Sequence, residues 1–67
     1  MKFKEKQRVA YVPLHAKYDI NHPDCDFGVV STVGKRFVFV KFDEQVKKLG
    51  WLGTTSQSCD PDDLILV

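Results

Sequence analysis

The sequence predicts an all-β fold: a small five-stranded barrel with a long first loop and a single helical or 3₁₀ turn before the last strand. Three features of the stretch Phe27 to Phe42, FGVVSTVGKRFVFVKF, lead to that expectation. Val38, Val40 and Phe42 fall on one side of a period-two strand and Phe37, Phe39 and Lys41 on the other, so the first set is assigned to the core. Gly28 to Val33 is rich in β-branched residues, whose stiff side chains suit a pleated surface. Between the two runs, Gly34-Lys35 suits a two-residue turn with glycine in the first central position, flanked by Val33 and Arg36. A hairpin alone is marginal in water, so the rest of the chain must supply the strands that close a core over it.

The remaining elements follow in order. From the N-terminus Lys2, Lys4, Lys6 and Arg8 alternate with Phe3, Val9 and Tyr11, which in an extended chain puts a basic row opposite an apolar one. This is strand one, ended by Pro13, which lacks an amide hydrogen. Leu14 to Asp26, LHAKYDINHPDCD, has no helical or strand period and carries turn chemistry at Asn21-His22-Pro23-Asp24. It reads as a long excursion, and loops of this length in small domains often carry function. Asp43 to Gly50 suits a helical turn capped by Asp43 and stopped by Gly50. Trp51 and Leu52 then form either a lid on the core or an exposed contact. Thr54 to Ser58 reads as a short, partly exposed strand. Asp60-Pro61-Asp62-Asp63 places a capping oxygen before a proline at the first helical position, the signature of one helical or 3₁₀ turn. Leu64 to Val67 is the closing strand.

Composition bounds the rest. Sixty-seven residues fit one domain, 1–67, of a size that buries only about 60% of its unfolded surface. Hydrophobic residues at 43% and charged ones at 28% are ordinary for a globular chain and carry no disorder signature. Cys25 and Cys59 are too few for a disulfide scaffold, so reduced thiols in a cytoplasm are expected. No apolar run approaches the roughly 20 residues of a membrane span, and no apolar segment follows the charged N-terminus, so neither secretion nor a membrane is expected. A net charge of +1 gives no global attraction for nucleic acid.

The order of strand one, long loop, hairpin, connector, short strand, helical turn and last strand resembles the SH3-like small barrel. FKEKQRVAYVP, GVVSTVGKRFVFVKF and the terminal PDDLILV are similar to the corresponding pieces of KOW-like and Tudor-like members, and of small uncharacterised barrel proteins encoded by bacteriophages and prophages. That resemblance implies a non-enzymatic accessory protein in the bacterial host cytoplasm, contacting a host or phage protein.

No motif for catalysis is present. Ser31, Ser56 and Ser58 lack a nucleophile elbow, no glycine loop cradles a phosphate, and Asp24, Asp26, Asp62 and Asp63 lie in turns where capping and solvation account for them. Two binding surfaces are expected as alternatives. A protein partner would use Tyr18, Phe27, Phe39 and Trp51 as aromatic anchors beside the long loop. Nucleic acid would use Lys2, Lys4, Lys6 and Arg8 with Lys35, Arg36 and Lys41, aided by stacking on Phe39 or Trp51; the plainer role of the strand-one lysines is a solvated edge that discourages aggregation. No cofactor is expected by default. The alternative is zinc on His15, His22, Cys25 and Cys59, which are zinc-type ligands, although their spacing matches no standard finger.

Overall fold

A computed structural model describes residues 3–16 and 19–67; Lys2 and Tyr18, two of the candidate binding residues, lie outside them. Among the regular elements of the described residues, strands predominate. Strands β1 (Arg8–Tyr11), β2 (Asp26–Val33), β3 (Val38–Phe42), β4 (Gln57–Cys59) and β5 (Leu64–Leu66) form one antiparallel sheet in the order β4-β3-β2-β1-β5. Helix α1 (Asp43–Gly53) links β3 to β4, and 3₁₀ turns occupy Leu14–Ala16 and Pro61–Asp63.

Val38 and Val40 are fully buried, as their alternation requires, together with Val9 and Val30; Phe3, Cys59 and Leu64 complete this cluster. Val9 and Ala10 are adjacent and both have no exposure. Neighbours in a strand point to opposite faces, so β1 is covered on both sides. Val9 enters the main cluster, while Ala10 packs with Val12, Ala16, Cys25 and Ile65 under the long loop. The loop is therefore the second layer of a small domain. It is built from successive turns: the amides of Ala16, Asp19, His22 and Cys25 donate to the carbonyls of Pro13, Ala16, Asp19 and His22 at 2.9 to 3.0 Å.

Several local expectations are corrected. The hairpin turns at Lys35-Arg36, one residue later than Gly34-Lys35, because the Gly34 amide donates to the Phe37 carbonyl at 2.9 Å, just beyond the last ladder pair, Val33 with Val38. Space at Gly34 is tight: a Cβ there would lie 3.1 Å from both the Phe37 carbonyl oxygen and the Phe39 ring. The basic row of strand one is broken, since Lys4 to Gln7 is a turn in which Lys6 holds a left-handed φ of 72°. Its amide donates to the Val30 carbonyl at 2.8 Å, so the turn is docked on β2. Asp43 does not cap α1; Phe42 is the N-cap and makes no side-chain hydrogen bond there. Gly50 interrupts the helix at φ 77°, as a glycine stop should, but the chain resumes one more turn through Trp51 to Gly53. Thr54 is buried and its Oγ1 donates to the Gly50 carbonyl at 2.6 Å, which removes it from the expected strand and leaves β4 with three residues.

Between Val30 and Thr32 the β2–β3 register slips by one residue, leaving Ser31 as a bulge. Its hydroxyl donates to the Phe39 carbonyl at 3.2 Å and is 2.7 Å from Ser56 Oγ. Gly28, earlier in β2, is buried where a Cβ would meet the Lys41 carbonyl oxygen and Val40 Cγ1 at 2.7 Å.

The two faces of β3 predict unequal responses to polar substitution. Val40→Asp strands a carboxylate in the main cluster and should unfold a domain whose stability is about 5 kcal/mol. Phe39→Ser, on the half-buried face, should cost about 1–2 kcal/mol. Thermal melts followed by circular dichroism rank the two; the reverse order would place Phe39, not Val40, in the core.

Candidate functional site

A groove of about 930 Å³ opens beside the ends of β1, β2 and β3, bordered by the first turn of α1 and by β4. Register brings its walls together. Tyr11 pairs with Asp26 across β1 and β2, and Gly28, one step inward on the same face, pairs with Phe42. Without a side chain at Gly28, the Tyr11 and Phe42 rings meet edge to face at 6.5 Å and 84°. Phe27, 37% exposed, also borders the groove, from the opposite face of β2. Because α1 begins at once after β3, Asp43 and Glu44 stand on the rim, and Asp26 joins them from β2. Among the described residues Asp43 is paired with Arg8, while Asp26 and Glu44 have no ion-pair partner. The groove therefore combines apolar rings with carboxylates, with Lys47 as the cation among its described lining residues and Arg8 paired to Asp43.

The basic side chains are placed differently. Arg8 makes two hydrogen bonds to the Asp43 carboxylate, at 2.8 and 2.5 Å, with both side chains about half exposed. That hydrogen bonding raises the guanidinium above its ordinary value. Lys41 lies in the row Arg8, Val29, Lys41 across β1, β2 and β3. Its Nζ donates to the Trp51 carbonyl at 2.6 Å and stands 4.5 Å from the centre of the indole, while Lys6 Nζ stands 4.8 Å from the same ring. Such contacts are worth about 0.5–1 kcal/mol at exposed sites. Lys4, Lys35 and Arg36 are exposed, the last two at the tip of the β2–β3 hairpin.

The expected aromatic anchors thus separate. Phe27 borders the groove, whereas Phe39 lies on the opposite face of β3 from Val38 and Val40, and Trp51 sits between two lysines. Tyr11, Phe42, Asp26, Asp43 and Glu44 were not legible as a site. Tyr11 and Phe42 look like core in a period-two pattern, and the acids gain meaning only once the strand ends converge.

The zinc-type ligands also separate. Cys59 belongs to the main cluster and donates to the Gln57 carbonyl at 3.7 Å; Cys25 belongs to the second and donates to the Asp19 carbonyl at 3.2 Å. Among the described residues, the potential ligands that converge are His15, His22 and Asp24, whose donor atoms lie within 4.8 Å of one another. His15 Nε2 is 2.7 Å from Asp24 Oδ2, the Asp24 amide donates to His22 Nδ1 at 3.1 Å, and the imidazole centres are 5.4 Å apart. Asp24 takes the place expected of a cysteine.

Desolvation raises both thiols above their ordinary range, reinforced by Asp19 at Cys25 and by Asp63 at Cys59. A raised thiol stays protonated and unreactive at neutral pH. In the native chain both cysteines should react with Ellman's reagent more slowly, by tenfold or more, than in denaturant. Above the ordinary thiol range of about 8.5 the unfolded chain ionises first, so stability should fall as pH rises through it. Immediate native labelling of either thiol would contradict this placement.

No protein-family model, curated protein or solved structure matches the chain, so the chemistry of these surfaces is what speaks to function.

Proposed function

We propose that the chain is a non-enzymatic binding module whose groove receives a basic, extended segment of a protein partner. The observation that carries this reading is a groove bordered by the edge-to-face pair of Tyr11 and Phe42, by Phe27, and by two carboxylates, Asp26 and Glu44, that have no ion-pair partner among the described residues. A lysine or arginine stem can lie along the rings while its charged end meets the rim, combining burial, cation–π attraction and a charge-assisted hydrogen bond. The groove borders β4, an edge of the sheet. An edge strand offers backbone groups to an added extended chain, which supports an extended rather than a helical ligand.

The architecture is read as an SH3-like small barrel, supported by the strand order and by the 3₁₀ turn immediately before β5. From the same resemblance comes the proposed setting: an accessory protein of bacteriophage or prophage type, acting on a host or phage protein in the bacterial cytoplasm. Nucleic acid is the weaker reading. Arg8 is engaged by Asp43, and Lys6 and Lys41 stand at Trp51, so a phosphate or a stacking base would have to displace existing contacts.

Selection of random linear peptides on the immobilised chain tests the proposal. Recovered peptides should be enriched in Lys and Arg, and Phe27→Ser or Glu44→Lys should weaken the best of them by tenfold or more, with Lys35→Glu and Arg36→Glu neutral. Peptides without basic enrichment, or binding indifferent to Phe27 and Glu44, would overturn it. Salt-sensitive binding of single-stranded DNA, lost on Lys35→Glu with Arg36→Glu, would favour nucleic acid instead.

A further inference from the structure

We infer that the long loop binds one divalent transition-metal ion of the zinc class through His15, His22 and Asp24, without either cysteine. Two imidazoles and a carboxylate form a donor set suited to zinc and its neighbours, and three protein ligands leave a position for water or for a donor from another molecule. The fold sets the three side by side. His15 precedes Ala16 and Asp24 precedes Cys25, and Ala16 and Cys25 are buried together in the second cluster. Burial of one residue therefore fixes the backbone of its neighbour at two points nine positions apart in the loop, and the turn closed by the Cys25 amide on the His22 carbonyl, at 3.0 Å, brings in the third. Much of the chain ordering that a metal loop requires is already present in the fold.

The separations suit ligation. Bonds of about 2.0 Å in a tetrahedral site place donors about 3.3 Å apart. The present donor atoms lie within 4.8 Å of one another, with His15 Nε2 and Asp24 Oδ2 at 2.7 Å, so side-chain rotation alone can seat an ion. His15 and Asp24 have side chains about 60% exposed, at 62% and 59%, which gives the ion an entry path. No lysine or arginine among the described residues is paired with Asp24. The ion must displace the His15–Asp24 hydrogen bond. The thiols stand outside the set: each lies in a buried cluster and already donates to a carbonyl.

This site is independent of the groove, and zinc(II) and cobalt(II) titrations of the full chain test it. One equivalent of zinc should bind by calorimetry, with the affinity lowered tenfold or more by His15→Ala, His22→Ala or Asp24→Asn and unchanged by Cys59→Ala. These ligand positions are at or near the surface, and circular dichroism checks that each variant keeps its fold. The cobalt form should show d–d bands without the near-ultraviolet thiolate-to-cobalt band. Absence of saturable one-to-one binding, indifference to the histidine substitutions, or a thiolate band would each overturn the assignment.

Discussion

At Gly28 the main chains of β2 and β3 approach so closely that no side chain fits between them. A Cβ would stand 2.7 Å from the Lys41 carbonyl oxygen and 3.1 Å from Phe42 Cα, both backbone atoms with little freedom to give way. Three residues on, Ser31 bulges out of the same pairing. Glycine inside a strand and a bulge are the two devices that bend and twist a sheet, and here both lie on its central strand. Asp26 to Val29 pair with β1 and Gly28 to Val33, apart from Ser31, pair with β3, so the two ladders overlap at Gly28, and Tyr11 and Phe42 meet beside it at the border of the groove. Ser31 makes the bulge tolerable by satisfying the Phe39 carbonyl from its side chain.

The distribution of charge follows from the same arrangement. The chain is nearly neutral, yet its two signs are used in different ways. Arg8 closes on a carboxylate 35 positions away, and Lys6 and Lys41 hold Trp51 where α1 returns past Gly50. These basic groups tie the turn before β1, strand β3 and the end of α1 together. Asp26 and Glu44 are not consumed this way and face the groove. A chain with a net charge of +1 thus presents an acidic recess, which its composition alone would not suggest.

What could be read in the sequence is what local chemistry decides. Val38 and Val40 declare a buried face by alternation, and Asp60 before Pro61 declares a capped turn, with Asp60 Oδ1 accepting from the Asp62 amide at 2.9 Å. Gly50 marks the helix break because its φ of 77° favours glycine. What could not be read depends on distant partners. Ala10 looks neutral until the loop covers it, and Lys6 looks extended until its amide docks on Val30. Asp43 has the composition of a cap, but Arg8 offers it a two-pronged, charge-assisted partner. The candidate site fared worse than the fold for the same reason: His15 and His22 stand out as zinc-type residues, but the group that lies beside them is Asp24, because Cys25 is buried in the second cluster.

The dependence of the curled sheet, and hence of the groove, on the close approach at Gly28 is tested most directly by Gly28→Ala. A single methyl group must push against the β3 backbone, so urea unfolding should show a loss of about 1–3 kcal/mol, the usual range for overpacking. Amide shifts in the native state should change at Tyr11 and Phe42, across the groove, more than at the hairpin tip. A variant within about 0.5 kcal/mol of the parent, the range of an ordinary surface change, with those amides undisturbed would contradict the account.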